Sequence, residues 1–181
     1  MAENSNSSRV AAMQAALEDG TLLSLYKSLY LENKNQETLF ALMTCLKESF
    51  AIVPMNAVGM SSKKAEELQN SEAAQNMDVD MEVRLEPELL QGEGMQTWMP
   101  VFSTIDEVPE DYLKEHEFVT GRVVDCIDVA HGFDGLTGIV IDPYTTAMEL
   151  PFKLAALIDT VPSILELASQ ADEEAAEGEG E

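Results

Sequence analysis

The spacing of apolar residues changes near residue 50, and this change is the strongest constraint on the fold. Before it, apolar side chains recur every three or four residues, which is the period of a helix with one buried face. After it, apolar runs are short, and they alternate with polar residues or end at Pro or Gly, as is typical of strands. The two periods together predict an α+β domain, a mixed sheet of about four to five strands flanked by helices.

Three helices are predicted before residue 50. The first ends at Gly20, and the second begins with Thr21 as its cap. The third begins at Asn35 or Gln36 and ends near Lys47, which complements the negative end of the helix dipole. Each helix has one apolar face, so each is expected to pack against a neighbouring element.

The strands are predicted from the short apolar runs that follow. The predicted strands are 50–54, 79–85, 97–102, 118–124 and 136–141. Strand 118–124 leads into a helical face that Gly132 ends, and residues 150–158 are predicted to form a late helix. After strand 97–102, Ser103 or Thr104 is predicted to cap a helical turn, whose length Pro109 limits.

Composition divides the chain into three parts. Residues 1–20 form a short helical extension, and residues 21–160 form the domain, with a flexible internal loop at 58–78 that is rich in polar residues. Residues 161–181 form an acidic tail. Because the end of this tail consists of Glu, Ala and Gly with little to bury, it is predicted to be disordered.

The charge excludes several classes of partner. Ten Lys and Arg against 34 Asp and Glu give a formal net charge of −24. Nucleic acids and anionic lipids are both recognised through clusters of basic residues, and the chain has no such cluster. The expected partner is therefore a protein, with a basic protein as one alternative, and not nucleic acid or a membrane surface.

The N-terminus and the cysteines point to the cytoplasm. The first residues are polar and lack the basic-then-apolar pattern of a secretory signal, and no apolar stretch is long enough to span a membrane. Cys45 and Cys126 lie in apolar surroundings without the spacing of a metal or redox motif. They are predicted to be buried free thiols, which suit a reducing compartment.

Four blocks of sequence, at residues 36–54, 99–108, 138–143 and 150–158, resemble one protein family in their order and spacing. The family is the N-terminal domain of SseB, the enhanced serine sensitivity protein. The shared features are a helix that leads into a Val-Pro step, a Pro-Val-Phe strand that ends at hydroxyl residues, an apolar strand before Pro, and a short Leu-rich helix.

The resemblance implies an architecture and no set of catalytic residues. Two positions depart from the family pattern. Ser103-Thr104 reverses the usual order of the two hydroxyl residues, and Asp142 stands before Pro143 where relatives carry Asn. A family role that needs an amide at this position would therefore be absent.

The candidate catalytic groups were weighed against structural roles. His116 lies in a charged stretch and is predicted to be solvated. His131 follows Cys126 and two aspartates on one predicted helix, and these residue types can build a nucleophilic site. Cys126 and His131 are five residues apart, which is about 140° around a helix. No catalytic residue is therefore predicted.

The candidate metal ligands are Asp78, Asp80 and Glu82, which alternate along a predicted strand. A hard cation needs carboxylates and also a loop that wraps around it. Strand alternation alone gives a solvated face, so no metal site and no cofactor are predicted.

The sequence thus predicts a non-enzymatic protein-interaction or adaptor module of SseB type. One alternative is an acidic, immunity-like protein that neutralises a basic partner or toxin, and a second is a small hydrolase or transferase. The predicted interaction surface is a sheet edge or groove formed by Trp98, Phe102, Ser103, Thr104, Asp142 and Pro143.

Overall fold

A computed structural model describes residues 3–58 and 84–178 of the chain. Its helices are α1 (Glu3–Glu18), α2 (Thr21–Glu32), α3 (Gln36–Leu46), α4 (Glu110–Glu115), α5 (Val123–His131), α6 (Phe152–Ala155) and α7 (Ile164–Gly178). Its strands are β1 (Phe50–Val58), β2 (Arg84–Pro87), β3 (Leu90–Gln91), β4 (Thr97–Val101), β5 (Glu117–Arg122), β6 (Leu136–Ile141) and β7 (Met148–Pro151).

The strands form two linked sheets. One sheet has the order β2-β1-β5 and is antiparallel, and the other has the order β3-β4-β6-β7. In the second sheet β4 and β6 are parallel, whereas the other pairs are antiparallel. Two backbone hydrogen bonds of 2.8 Å between Ile52 and Phe102 join β1 to the end of β4. The predicted mixed α+β class is confirmed, with the described strands divided between two sheets.

The predicted starts of α2 and α3 are confirmed, but the predicted capping role of Thr21 is wrong. Gly20 is the N-cap residue of α2, in a left-handed conformation and without a side-chain cap, and Thr21 is the first residue of the helix. The Asn35 side chain accepts a hydrogen bond from the Thr38 amide at 2.9 Å, and the Thr38 hydroxyl accepts one from the Asn35 amide. This reciprocal cap satisfies two amides that the helix itself leaves unpaired, which explains why α3 begins where it does.

The late helix is shorter than predicted. Leu150 lies in β7, opposite Ile139 of β6, and the helix begins only at Phe152. Proline disfavours the helical conformation of the residue before it, so Pro151 keeps Leu150 extended. A 3₁₀ turn at Ile158–Thr160 follows the four-residue helix α6.

The tail was also predicted wrongly over its first part, because α7 begins at Ile164. The Ser163 hydroxyl accepts a hydrogen bond from the Glu166 amide at 3.1 Å, and the Glu166 carboxylate accepts one from the Ser163 amide at 2.6 Å. Ile164 packs in a small core with Leu17 and Cys45. The Ser-x-x-Glu spacing of a capping box was present in the sequence and marks this start.

The main core lies between the sheets and the helices. It is built by Leu23 of α2, by Leu42 and Leu46 of α3, by apolar residues of β1, β4, β6 and β7, and by the inner face of α5. Within the described ranges, no helix combines the length and the apolar character needed to cross a membrane. The predicted loop at 58–78 falls, after Val58, outside the described residues.

Candidate functional site

The parallel strands β4 and β6 end side by side, and the candidate site lies just beyond them. Val101 is paired with Ile141 in the last register of the ladder, and the Asp142 amide then donates to the Val101 carbonyl at 2.9 Å. Phe102 and Ser103 continue β4. In sheets with parallel strands, ligand sites are often found outside the carboxyl ends of such strands.

A buried polar cluster occupies this position. Asp142 Oδ1 accepts a hydrogen bond from the Ser103 amide, and Asp142 Oδ2 accepts one from the Ser103 hydroxyl, both at 2.7 Å. Lys27 Nζ of α2 donates to Asp142 Oδ2, and both charged side chains are fully buried. A buried charge is tolerated only when it is paired and hydrogen-bonded, which is the case for both groups.

The backbone at Asp142 and at Gly20 fits the cluster. Asp142 has φ +51°, a left-handed conformation that Asp and Asn adopt more readily than most residues. Gly20, with φ +79°, brings the start of α2 against Ser103, and a Cβ at this position would lie 1.7 Å from the Ser103 carbonyl oxygen. The glycine therefore permits the close approach that holds α2, and Lys27 with it, over the strand ends.

The hydroxyl residues have a different role from the predicted one. The Ser103 hydroxyl binds Asp142 and does not cap a helix. Thr104 precedes the 3₁₀ turn Ile105–Glu107 without making a side-chain cap. The capping prediction is wrong: Ser103 lies one residue before the N-cap position and its side chain is buried against Asp142, and Thr104, at the N-cap position, accepts no hydrogen bond from the turn.

A cluster of aromatic rings is built on the segments next to the polar cluster, because Phe102 precedes Ser103 and Tyr144 follows Asp142 by two residues. The rings of Phe102 and Tyr112 meet edge to face at 5.9 Å, and Tyr144 lies 6.2 Å from Phe102 and 5.2 Å from Tyr112. His116 stacks on Tyr112 at 4.0 Å. Burial raises the pKa of the Tyr112 hydroxyl, which keeps it protonated.

His116 was predicted to be solvated, and this prediction is wrong. Its side chain is 10 % exposed, and its Nε2 atom pairs with the Glu88 carboxylate. Stacking on Tyr112 and this acidic partner account for the difference, because a local charged sequence does not reveal a partner 28 residues away in the chain (116 − 88 = 28).

Three large apolar side chains on the segments that carry these rings are exposed, and one of them is Tyr144 itself. Ile105, Leu113 and Tyr144 are 51 %, 41 % and 46 % exposed. They lie on segments that are tied together, since Tyr112 contacts Tyr144 and the Thr145 hydroxyl donates to Glu107. We call Ile105, Leu113 and Tyr144 the aromatic patch. An exposed apolar patch of this kind is typical of interaction surfaces.

The rim of the aromatic patch is acidic. Asp106, Glu110 and Asp111 are exposed beside it. The neighbouring Lys114 pairs with Asp111, with 3.3 Å between Nζ and Oδ1. The local charge is therefore negative, as is the net charge of the chain.

The structure places five of the six residues of the predicted surface at these strand ends, whereas Trp98 lies at the start of β4, opposite Gly138, and most of the six are buried. Trp98, Phe102, Ser103 and Asp142 are at most 3 % exposed, and Thr104 and Pro143 are half-buried. A partner could thus reach only the last two directly. Lys27 and the aromatic patch were not predicted from the sequence. The one available signal was a lysine on the apolar face of α2, four residues after Leu23.

The two thiols are free and buried, as predicted. Burial raises the pKa of Cys45 to about 11 and that of Cys126 to about 12. Cys126 and His131 do not converge, because they lie five residues apart on α5, about 140° around the helix, and they line different cavities. His131 stacks instead on Phe152, with 3.7 Å between the ring centroids.

We expect neither thiol to react quickly with an aromatic disulfide reagent in the native protein at mildly alkaline pH. The thiolate is the reactive form, and burial disfavours it at both positions. The measurement is the absorbance of the released thiolate before and after unfolding in guanidinium. A native thiol that reacts as fast as the unfolded protein would contradict the expectation.

Within residues 3–58 and 84–178, no group of three or more His, Cys, Asp or Glu side chains is placed to hold a metal ion. The predicted carboxylates Asp78, Asp80 and Glu82 lie outside the described residues. The described part of the candidate site therefore offers a buried ion pair and an apolar surface.

Comparison with known proteins gives one family. The family model described as the SseB protein N-terminal domain matches residues 25–154, a range that includes Lys27, Ser103, Asp142 and the aromatic patch. No curated protein and no solved structure matches the chain.

Proposed function

The chain belongs to the SseB N-terminal domain family, and we propose that it acts as a non-enzymatic protein-interaction module, with the aromatic patch as its contact surface. The observation that carries the proposal is the exposure of Ile105, Leu113 and Tyr144 on segments that adjoin a buried, ion-paired polar cluster. The cytoplasm remains the proposed compartment, because two free thiols suit it.

The polar cluster supports a positioning role. Lys27 and Asp142 are 0 % exposed, so a substrate in solution could not reach them without rearrangement of the site. Their pairing fixes α2, the end of β4 and the end of β6 to one another. A surface held on such a rigid base loses little conformational freedom when it binds a partner.

The aromatic patch supports the choice of partner. Tyrosine, with a large ring and few rotatable bonds, is enriched in the energetic centres of interfaces, where its contact costs little entropy. The acidic rim of Asp106, Glu110 and Asp111 favours a partner with an apolar centre surrounded by Lys or Arg. This chemistry also fits the alternative of an acidic protein that neutralises a basic partner or toxin.

The second alternative, a hydrolase or transferase, has less support. Cys126 is buried with a raised pKa, and His131 lines another cavity. A nucleophilic site would need the two groups within hydrogen-bonding distance of each other. An activity lost in Cys126→Ser without loss of stability would reverse this preference.

We expect the double variant Ile105→Ser, Leu113→Ser to lose its partner while it keeps its fold. These side chains are 51 % and 41 % exposed and are not part of the ring cluster of Phe102, Tyr112 and Tyr144, so the truncation removes contact area and leaves the core in place. The tagged full chain would be captured from its own cells, and partner recovery would be compared with that of Leu25→Ser, Leu157→Ser, which alters two exposed leucines elsewhere. Equal recovery by both variants would contradict the role of the patch.

The salt dependence of partner binding distinguishes an interaction module that binds through the aromatic patch from an acidic protein that neutralises a basic partner. If the partner is basic and bound mainly through charge, recovery should fall steeply as the ionic strength of the wash increases. A contact centred on the aromatic patch should survive the same wash, because burial of apolar surface is not screened. The measurement is the recovered partner per captured chain at low and at high salt.

A further inference from the structure

Within the described residues, the backbone groups on the outer edge of β5 have no strand partner. β5 is the end strand of its sheet, and within the described part of the chain no strand pairs with its outer side. Ile52 of β1 exchanges both backbone hydrogen bonds with Phe102, so its amide and carbonyl point away from β5. In an antiparallel ladder, the backbone amide and carbonyl of its partner Thr120 must then point away from β1 as well.

The same alternation applies to Phe118. Its partner in β1 is Pro54, whose carbonyl accepts a bond from the Glu88 amide on the side away from β5. Phe118 and Thr120 thus present two N–H and two C=O groups at the free edge, and Thr120 is an exposed residue. Such an edge is a template for another strand, and neither a proline nor a lysine on β5 blocks it.

An apolar cavity adjoins this edge. It has a volume of about 160 Å³, and its walls include Val53 and Met55 of β1, Val119 of β5, and Cys126 and Val129 of α5. Val119 and Val129 are 45 % and 50 % exposed, so the wall between β5 and α5 reaches the surface. A strand added to β5 would place every second side chain on the same face as Val119, beside the cavity.

The charge around the edge selects the occupant. The exposed carboxylates nearby are Glu115 and Glu117 at the start of β5, and Asp125 and Asp128 on α5. The guanidinium of Arg122 at the end of β5 is directed to the Lys47 carbonyl at 2.9 Å and to Glu48. A second copy of this chain would bring another net charge of −24 to the contact, whereas a cationic peptide would be attracted to it.

We propose that the outer edge of β5 binds an extended cationic peptide, which extends the sheet and places a valine- or leucine-sized side chain in the cavity at Cys126. The backbone of Phe118 and Thr120 supplies the hydrogen bonds, and the cavity supplies the side-chain preference. This site is separate from the aromatic patch, so its failure would leave the proposed function standing.

The experiment uses the full chain and a capped peptide of alternating lysine and valine, as long as the six-residue strand β5. Amide hydrogen exchange is followed by NMR with and without the peptide. We expect slower exchange at Phe118 and Thr120, with little change at Val119 and Gly121, whose positions in the ladder face β1. A peptide of alternating glutamate and valine is the control for charge.

Two variants test the mode of binding. Thr120→Pro removes a donor from the free edge without removing one from the β1 ladder, and it should weaken peptide binding by about tenfold, whereas Thr120→Val, which keeps the N–H, should bind normally. Val119→Lys, at a half-exposed position, should weaken binding by a similar amount through charge and a filled cavity.

Four results would overturn the proposal. They are unchanged exchange at millimolar peptide, equal binding of the acidic control peptide, normal binding by both Thr120→Pro and Val119→Lys, and protection of the two amides that rises with protein concentration in the absence of peptide. The last result would assign the edge to a second copy of the chain.

Discussion

Replacement of Lys27 by Met should destabilise the domain by about 3–5 kcal/mol, because it leaves the buried Asp142 carboxylate without its counterion. The remaining hydrogen bonds from Ser103 satisfy part of the carboxylate but do not neutralise it. The measurement is the free energy of unfolding from denaturant titration at neutral pH. Lys34→Met, at an exposed position, is the matched control and should change stability by less than about 0.5 kcal/mol.

Variants of Asp142, the ion-pair partner of Lys27, complete a double-mutant cycle. Asp142→Asn keeps the backbone preference and the bond from the Ser103 amide but leaves Lys27 charged and unpaired, so it should also destabilise strongly. The double variant Lys27→Met, Asp142→Asn removes both charges and should be more stable than either single variant. Purely additive losses would show that the two charges do not stabilise each other.

This cycle also bears on the departure from the family pattern. The resemblance implies Asn before the proline, and an amide can hold the same left-handed turn and bind Ser103 without a charge. Asp142 requires a cation in the same place, and Lys27 provides it. The aspartate and the lysine therefore work as a pair. The conformation of Asp142 and the burial of the two charges are explained only by both residues together.

Local chemistry decided which parts of the fold could be predicted. The start of α3 depends on Asn35 and Thr38, which are three residues apart, and a reader of the sequence sees both. The range of β6 was predicted correctly because its apolar run lies between Gly135 and Pro143. The cap of α7, Ser163 with Glu166, has the same local character, but the acidic composition that follows it favoured a disordered tail.

The candidate site could be predicted only in part. The strand ends at Ser103 and Asp142 carry recognisable residues, and the parallel pairing of β4 with β6 brings them together. Lys27 is separated from Asp142 by 115 positions, so no local pattern could link them. The sequence also did not show that Asp142 pairs with Lys27 and is buried. Most of the predicted surface is buried with it, and the exposed side chains are those of the aromatic patch.

We expect Gly20→Ala to be the most damaging single-methyl change considered for this chain. Gly20 has φ +79°, which costs an alanine about 1 kcal/mol or more, and its Cβ would also lie 1.7 Å from the Ser103 carbonyl oxygen. The obstacle is backbone, so α2 would have to move away from the strand ends. That movement would separate Lys27 from Asp142 and add the loss of the buried pair, for a total above about 4 kcal/mol.

Gly135→Ala is the control that isolates the contact from the conformation. Gly135 has φ +85°, close to that of Gly20, but a Cβ there would meet nothing within 4 Å. It should therefore show the conformational cost alone, about 1 kcal/mol. Denaturant titration of the two variants gives the difference between their free energies of unfolding directly. Failure of Gly20→Ala to fold would be the largest possible form of the expected effect. If the two alanine variants were equally stable, the contact with Ser103 would not hold α2 in place, and the link from Gly20 through α2 to Lys27 would be wrong.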